Sequence, residues 1–280
     1  AHACTGPFSI QDTQVAPKTS RPHFLSSTAD AIHFAGCRGT VRLSGCQVLL
    51  CGDDGINVHG KWSTVGGSNQ SASQITVNYQ NTMSSSGTWS LDFFAGDQIV
   101  LLPSNTLLST SGVDLAATVT TTPSSQWSPW TLDVTPNDAS AFWTALSTST
   151  VYRVANLSDN ASSFLVEDCS FVGCRGRGVL SRCPNTLVID SYFEGTADSA
   201  VSLQTAANSD SSWEAGMPHS GGITKSIFRR CNNRGGKWDQ WATVHVAASF
   251  EASDWSNALP QTYCPAGAIN KIAISDNTFL

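Results

Sequence analysis

FLVEDCSFVGCRGRGVLSRCPNTLVIDSYF, residues 164–193, contains one complete copy of the pattern that decides the fold. An apolar run leads through a polar turn to Phe171, a short alternating segment follows at 177–181, and the pattern then starts again. Leu165 and Leu187 occupy equivalent places in it, 22 residues apart. Short alternating segments bounded by turn residues are typical of β-strands.

The same pattern recurs along the chain at nearly constant spacing. Ile32 and Ile56 are 24 residues apart, and Val179 and Val201 are 22 residues apart. A period of about 22–25 residues with two or three short strands favours an all-β fold, a right-handed parallel β-helix whose equivalent residues stack. Leucine-rich repeats have a similar period, but this chain lacks their closely spaced leucines. Further copies of the pattern stand at 30–34, 41–48, 54–58, 199–203, 222–228, 242–246 and 272–279.

Cysteine spacing reveals an insertion. Cys46 and Cys51 precede Cys169 and Cys174 by 123 residues, which exceeds one repeat by about 100 residues. The nine cysteines are an odd number, and most of them are expected to be reduced and stacked in the interior.

The inserted segment differs from the repeats in its sequence pattern. Residues 61–159 contain strand-like runs separated by Gly, Ser, Thr and Pro, which favours a small antiparallel, barrel-like β domain. A short helix is expected at 137–147, capped by Thr135 or Asn137. The sequence therefore predicts a parallel β-helix over 1–60 and 160–280, interrupted by this domain. Because the chain starts without Met and stops inside a copy of the pattern, we expect truncation at both ends.

Composition excludes some classes of partner. Only 13% of residues are charged and the net charge is −6, which argues against a dedicated binder of nucleic acid or of anionic membranes. No apolar run is long enough for a transmembrane helix. We therefore expect neither nucleic acid nor membrane as a partner.

Two adjacent aspartates, Asp53 and Asp54, mark a candidate site. When Ile32 is aligned with Ile56, Asp30 falls beside Asp54, because neighbouring parallel strands are about 4.8 Å apart. Carboxylates this close cannot all ionise cheaply, so one keeps its proton near neutral pH, as glycoside hydrolysis requires. Aspartates that cap turns, or that hold Ca²⁺, are alternatives that spacing alone leaves open.

Arg177 completes the aligned column. Aligning Val179 with Ile56 places Arg177 over Asp54 on the next repeat, where it could lower carboxyl pKa values or bind sugar. His33 and His59 alternate outward from apolar neighbours on their strands, so either could line a pocket or simply face solvent.

Several motifs resemble glycoside hydrolase family 110, the α-1,3-galactosidases. They are LSSTADAIHFAGCRG (25–39), DDGINVHG (53–60), CRGRGVL (174–180), VIDSYFEGTADSAV (188–201) and WEAG (213–216). The resemblance implies a right-handed parallel β-helix and metal-independent, exo-acting removal of terminal α-1,3-linked galactose with inversion. The reaction implied by this resemblance needs no cofactor and no metal.

The resemblance also implies roles for individual residues. Asp30 would be the general acid, and Asp53 with Asp54 the base, whereas in the distantly similar polygalacturonases Asp53 would be the acid. Trp213 would stack on the sugar and Glu214 would accept hydrogen bonds from its hydroxyls.

The expected substrates are terminal α-galactosyl glycans or a galactose-containing polysaccharide. They imply a secreted, periplasmic or cell-surface protein, which could form homo-oligomers. Two alternatives remain open at this point: a pectate-lyase- or polygalacturonase-like polysaccharide-degrading β-helix enzyme, and a non-catalytic glycan-binding β-helix.

Overall fold

The structure, a computed structural model, describes residues 6–18, 20, 24–78, 93–103, 115–124, 129–206, 214–216, 218–233, 242–249 and 271–280. Within these ranges the chain is almost entirely β, with one α-helix, α1 (Ala139–Leu146), and two single-turn 3-10 helices at Gln70–Ala72 and Leu157–Asp159. The strands are β1 (Phe8–Gln11), β2 (Gln14–Val15), β3 (Ile32–Ala35), β4 (Thr40–Ser44), β5 (Gln47–Leu49), β6 (Ile56–Asn69), β7 (Gln74–Asn78), β8 (Gln98–Pro103), β9 (Ala116–Val119), β10 (Trp130–Pro136), β11 (Tyr152–Asn156), β12 (Ser163–Glu167), β13 (Ser170–Val172), β14 (Val179–Ser181), β15 (Asn185–Ile189), β16 (Tyr192–Glu194), β17 (Val201–Ala206), β18 (Glu214–Ala215), β19 (Ser220–Thr224), β20 (Ile227–Arg229), β21 (Val244–Ser249), β22 (Lys271–Ser275) and β23 (Thr278–Phe279).

Three sets of parallel strands make up most of this architecture. One sheet has the order β1-β4-β12-β15-β19-β22, a second has the order β2-β5-β13-β16-β20-β23, and a third pairs β3, β6, β14, β17 and β21 in parallel. We call the length of chain that adds one strand to each sheet a round. Leu165 pairs with Leu187 and Val179 with Val201, so the predicted 22-residue spacing is the spacing of adjacent strands.

Each round turns the corner between the first two sheets at a residue with positive φ. Asp168, Asp190, Lys225 and Asp276 have φ values of 52°, 49°, 53° and 57°, in the left-handed region. Asp tolerates this region because its short side chain can hydrogen-bond locally. The polar residue in each copy of the sequence pattern is therefore a corner residue.

Stacked side chains fill the space between the sheets. The rings of Phe171, Phe193, Phe228 and Phe279 form a ladder with successive centroids 5.1, 5.1 and 5.0 Å apart. The seven cysteines in the described residues are all free thiols, and all but Cys231 are buried, which confirms the expectation of reduced, stacked sulfurs for this part of the chain. Cys4 and Cys264 lie outside the described residues.

Phe193→Ala is expected to destabilise the fold by about 3–5 kcal/mol, because it removes the second of the four rings and leaves a cavity between Phe171 and Phe228. Urea unfolding followed by circular dichroism measures the change. Leu187→Ala is the control, since Leu187 is 37% exposed in the same round and its loss should cost less than about 1 kcal/mol. Equal losses in the two variants would mean that the ladder is not a main source of stability.

An antiparallel barrel of six strands adjoins the third sheet. Its strands follow the order β11-β8-β9-β10-β7-β6, and pairing of β11 with β6 closes it. Trp130 and Phe142 are among the side chains buried in its interior. β6 belongs to both parts, since Ile56 pairs with parallel strands and Asn69 pairs with β7. The barrel-like domain predicted from the inserted segment is thus observed, while the proposed domain limits stay a prediction.

The helix α1 differs from its prediction at the N-terminus. Asp138 is the cap, and its carboxylate accepts the Ala141 N–H at 2.9 Å. Thr135 is unavailable as a cap because it pairs with Thr118 in the β10–β9 ladder. Among the described residues, none of the helical segments has the length and apolar character needed to cross a bilayer.

Candidate active site

Register places the three predicted carboxylates together. Ile56 pairs with Ile32 on one side and with Val179 on the other, so the residues two places earlier in each round are neighbours. One side-chain oxygen from each of Asp30, Asp53 and Asp54 accordingly lies within 4.8 Å of the other two. The 24-residue step therefore does what the alignment predicted.

Hydrogen bonds hold this carboxylate cluster in place. The N–H of Asp54 donates to Oδ1 of Asp30 at 3.2 Å. The N–H of Arg177 donates to Oδ1 of Asp54 at 2.6 Å, and its guanidinium lies 3.4 Å from Oδ2 of the same carboxyl group. Arg177 thus lies where the sequence alignment placed it, against Asp54.

A glycine allows the three loops to approach closely. A Cβ atom on Gly176 would lie 2.4 Å from Oδ1 of Asp54, 2.6 Å from Oδ1 of Asp53 and 3.0 Å from the Asp53 carbonyl carbon. These distances leave no room for any side chain. The GRG stretch therefore supplies both the arginine and the gap into which the carboxylates fit.

Asp54 and Asp30 retain protons to unusually high pH. Burial above all raises the pKa of Asp54 to about 7, and the charges of Asp30 and Asp53 add to the effect although Arg177 opposes it. Burial also raises the pKa of Asp30, despite the opposing charge of His33. Asp53, by contrast, is exposed to solvent. One site therefore combines the buried Asp54 and the half-buried Asp30 with the exposed Asp53.

The raised pKa of Asp54 predicts a pH-dependent stability. Its value of about 7 exceeds the ordinary 3.8, so between these pH values the folded chain binds a proton that the unfolded chain has released. Through Asp54 the folded state should lose on the order of 4 kcal/mol of stability as pH rises through this window, and Asp54→Asn should remove this share of the loss, leaving only the smaller share of Asp30. Urea midpoints at pH 4 and pH 8 test this. A wild-type-minus-variant difference that is constant with pH would contradict the assignment.

Two histidines extend the cluster. Nδ1 of His33 lies 3.2 Å from Oδ2 of Asp30, and Nε2 of His33 lies 2.7 Å from Nε2 of His59. Burial lowers the pKa of His59 to about 4, with the charges of His33 and Arg182 adding to the effect. His59 is consequently a neutral, buried ring, whereas 46% of the His33 side chain is exposed.

Glu214 closes the site from a different strand. The pair Glu214–Ala215 forms β18, which runs antiparallel to β6 with Glu214 opposite Lys61. Its Oε1 accepts from Asn57 Nδ2 at 3.0 Å, and its Oε2 contacts the guanidinium of Arg182. Burial alone would raise the pKa of Glu214, but Arg182, His59 and the Asn57 hydrogen bond outweigh burial and lower it to about 2.

All predicted site residues that the structure describes therefore lie in one continuous set of contacts. It runs from Arg177 through the three aspartates and the two histidines to Glu214. Trp213 lies outside the described residues, so its place in the site stays a prediction.

Sequence reasoning missed two side chains and one glycine of this site. Asn57 alternates outward between Ile56 and Val58 on the strand that carries His59, and the alternation alone could have indicated it. Arg182 is buried just beyond β14, and only its contact with Glu214 reveals its place. Gly176 lies between two arginines, and nothing in the sequence shows how closely it approaches Asp54.

The spacing of the three carboxylates would also suit a bound cation. Arg177 already places a positive charge beside Asp54, and an acidic cluster on its own does not identify a metal centre. We assign no metal to the site.

Comparison with known proteins identifies relatives. No protein-family model matches the chain. An α-1,3-galactosidase A of Shewanella woodyi is 27% identical over 234 residues, which are 80% of this chain and 34% of that protein. An α-1,3-galactosidase B of Bacteroides thetaiotaomicron is 24% identical over 231 residues, 81% of this chain and 33% of that protein. The chain is a homologue of proteins named α-1,3-galactosidase.

These α-1,3-galactosidase homologues confirm the resemblance drawn from the motifs. A shorter match, to an α-1,3-galactosidase A of Akkermansia muciniphila, is 33% identical over 96 residues, 34% of this chain and 15% of that protein. The chain spans about a third of the length of the first two α-1,3-galactosidases. Among solved structures, the tailspike protein of Pseudomonas phage LKA1 aligns with 89% of this chain and 45% of that chain at 11% identity, and the TM-score of 0.18 is too low to support any argument.

Proposed function

We propose that this chain is a glycoside hydrolase that removes terminal α-1,3-linked galactose from the ends of glycans. The observation that carries the proposal is the cluster of Asp30, Asp53 and Asp54 with Arg177 against it, in a chain homologous to α-1,3-galactosidases. Two carboxyl groups in different protonation states are what hydrolysis of a glycosidic bond requires. Burial raises the pKa of Asp54 and of Asp30, so these two carboxyl groups keep protons to higher pH than an ordinary carboxyl group does, and the exposed Asp53 lies beside them.

The carboxylates take distinct roles in this proposal. Asp30 donates a proton to the oxygen of the leaving sugar. Asp53, supported by Asp54, takes a proton from the water that attacks the anomeric carbon. Asp54 is only 3% exposed, so it acts mainly through its charge and proton beside the other two carboxyl groups and through its contact with Arg177. The exchanged assignment, with Asp53 as the acid, remains the competing version of the same chemistry.

Inversion at the anomeric carbon is the stereochemistry we propose, on the strength of the family resemblance. The nearest oxygens of the three carboxyl groups, within 4.8 Å, are closer than the separation of about 6.5–9.5 Å common in inverting enzymes. Distance alone therefore does not favour inversion, and the anomer released first decides the matter.

We also propose that the three parallel sheets form a right-handed parallel β-helix. The support is that, apart from the barrel strands β7–β11 and β18, successive strands join the first, second and third sheets in turn. Such a body presents the outward residues of the third sheet, among them His33 and Asn57, on one face beside Asp30. Glycan ends are extracellular substrates, so we propose a secreted, periplasmic or cell-surface protein.

An eliminase is the weaker alternative. It needs a free basic side chain beside an acidic sugar, but the Arg177 guanidinium lies 3.4 Å from Asp54 and is held in an ion pair. A purely glycan-binding role would leave the protonation difference within the cluster without a use.

The test is release of galactose from galactosyl-α-1,3-galactose by the 280-residue chain, with EDTA present, beside the α-1,4- and α-1,6-linked isomers. We expect release from the α-1,3 isomer in EDTA and little from the others. An unsaturated product that disappears in EDTA would indicate the eliminase. Binding of the sugar without any cleavage would indicate the non-catalytic protein.

A further inference from the structure

A chain of three close contacts links Asp30 to the backbone of β6. Oδ2 of Asp30 lies 3.2 Å from Nδ1 of His33. Nε2 of His33 lies 2.7 Å from Nε2 of His59, and Nδ1 of His59 lies 2.5 Å from the carbonyl oxygen of Gly60. Each of these contacts needs one proton between its two atoms, which restricts where protons can be placed.

The Gly60 carbonyl determines the tautomer of His59. A carbonyl oxygen only accepts hydrogen bonds, so Nδ1 of His59 must carry a hydrogen and donate it. Burial lowers the pKa of this ring to about 4, so near neutral pH its other nitrogen, Nε2, has a lone pair and accepts. Glu214 Oε1, at 3.8 Å from that nitrogen, is too distant to compete for a hydrogen bond.

The tautomer of His59 in turn determines the orientation of His33. Since Nε2 of His59 accepts, Nε2 of His33 must carry the hydrogen that lies between the two rings. Nδ1 of His33 then has two states. It either accepts a proton from the Asp30 carboxyl group, or carries a proton that it donates to the Asp30 carboxylate.

We propose that Asp30 and His33 share a single proton. In this proposal His33 and His59 are positioning residues that keep the proton between Oδ2 of Asp30 and Nδ1 of His33. The inference rests on the proposed function in one respect, namely that Asp30 is the general acid. When Asp30 gives its proton to the leaving oxygen it becomes a carboxylate. Nδ1 of His33, which is half-exposed, then takes a proton from solvent and passes it to Oδ2 of Asp30, while Asp53 releases to solvent the proton that it took from the attacking water, so both carboxyl groups return to their starting states.

The charged groups around the pair all bear on this proton. Asp53 and Glu214 are carboxylates that act on Asp30 from the β5–β6 turn and from β18, and both favour its protonated form. Asp54 donates its N–H to Asp30, which opposes protonation. Arg177 contacts Asp54, and Arg182 contacts Glu214, so each of these contacts lies one residue away from the Asp30–His33 pair. Since the charge of His33 opposes protonation of Asp30 itself, it is the Asp30–His33 pair as a whole that keeps one proton to higher pH than a lone carboxyl group would.

Nuclear magnetic resonance tests the placement of protons without any reference to activity. Two-bond ¹H–¹⁵N spectra of the ¹⁵N-labelled chain distinguish protonated from unprotonated imidazole nitrogens. We expect His59 to carry its hydrogen on Nδ1, and His33 to carry one on Nε2, from pH 5 to pH 8. A hydrogen on Nε2 of His59 would overturn the proposal whatever the activity.

Kinetics with two leaving groups tests the role of the pair. An alcohol leaving group needs a proton from Asp30, whereas a dinitrophenolate leaving group does not. We expect His33→Gln, which keeps a polar atom toward His59 but none toward Asp30, to lose roughly tenfold more kcat on galactosyl-α-1,3-galactose than on dinitrophenyl α-galactoside. The upper limb of its pH profile on the disaccharide should move to lower pH.

His219→Gln is the matched control, because it makes the same change at an exposed histidine outside the hydrogen-bonded chain. Its two substrates should be affected equally. Equal losses on both substrates in His33→Gln would mean that His33 serves binding or folding, and would overturn the positioning role. If the tautomers are as stated but the wild type cleaves neither galactoside, the proposed function fails while the proton placement stands.

Discussion

Asp54→Asn is expected to lower kcat on galactosyl-α-1,3-galactose by about 10²–10⁴-fold, and Asp53→Asn by a similar factor. Asn is nearly the same size as Asp, and its carbonyl oxygen can still accept the Arg177 N–H. What is lost is the charge and the proton of one member of the cluster. In an acid–base mechanism these carry the catalysis, whereas in a turn cap they do not.

The matched control is Asp168→Asn. Asp168 is exposed at a corner with φ of 52°, a conformation that Asn adopts readily, so activity and stability should stay close to those of the wild type. Initial rates of galactose release measure the effect, and circular dichroism confirms that each variant is folded. Turnover near that of the wild type in both Asp53→Asn and Asp54→Asn would remove these residues from the mechanism.

Gly176→Ala is expected to lower kcat about 10²-fold or more, because a misplacement of catalytic groups by about 1 Å has effects of this size. The added methyl group would lie 2.4 Å from Oδ1 of Asp54, which cannot move aside without losing its 2.6 Å hydrogen bond from Arg177. The carbonyl carbon of Asp53, 3.0 Å away, is backbone and equally unable to yield. Both carboxylates should therefore be displaced together.

Gly67→Ala controls for the general effect of adding a methyl group to a glycine. Gly67 lies in the barrel part of β6, where the nearest atoms to an added Cβ belong to Thr76 at 4.0 Å. This variant should keep nearly full activity, measured as initial rate on the same disaccharide. Full activity in Gly176→Ala would show that the packing of the carboxylates against this glycine is unimportant.

The part of the site that depends on the pairing register of the parallel strands could be predicted from the sequence. Ile32, Ile56 and Val179 mark equivalent positions in three rounds. Their spacing predicts that Asp30, Asp54 and Arg177, each two residues earlier, are neighbours. A period of 2 along strands and about 22–25 along rounds is a property of the chain itself. No knowledge of side-chain packing was needed for this part.

Contacts between segments that are not in register could not be predicted. Glu214 reaches Asn57, 157 residues earlier, because β18 pairs antiparallel with β6 after a long departure from the pattern. The spacing of the repeat contains no information on such a pairing. The same holds for the partner of Arg182 and for the tautomers of the two histidines, which depend on distances of a few tenths of an ångström.

In the barrel too, the strands could be predicted from the sequence but their pairing could not. Strand-like runs between 61 and 159 predicted its strands, but its closure by β11 and β6 depends on which strand edges meet in space. The cap of α1 fell on Asp138 because the extent of β10 decides which polar residue is available.

The central claim is that the carboxylate cluster hydrolyses this linkage, with water activated by one carboxylate and the leaving group protonated by another. A ¹H NMR time course of galactosyl-α-1,3-galactose with the wild-type chain tests this claim most directly. The account predicts that the anomeric signal of β-galactose appears first and that the α-anomer follows only by mutarotation. Release of α-galactose first, or a disaccharide that stays intact, would contradict it.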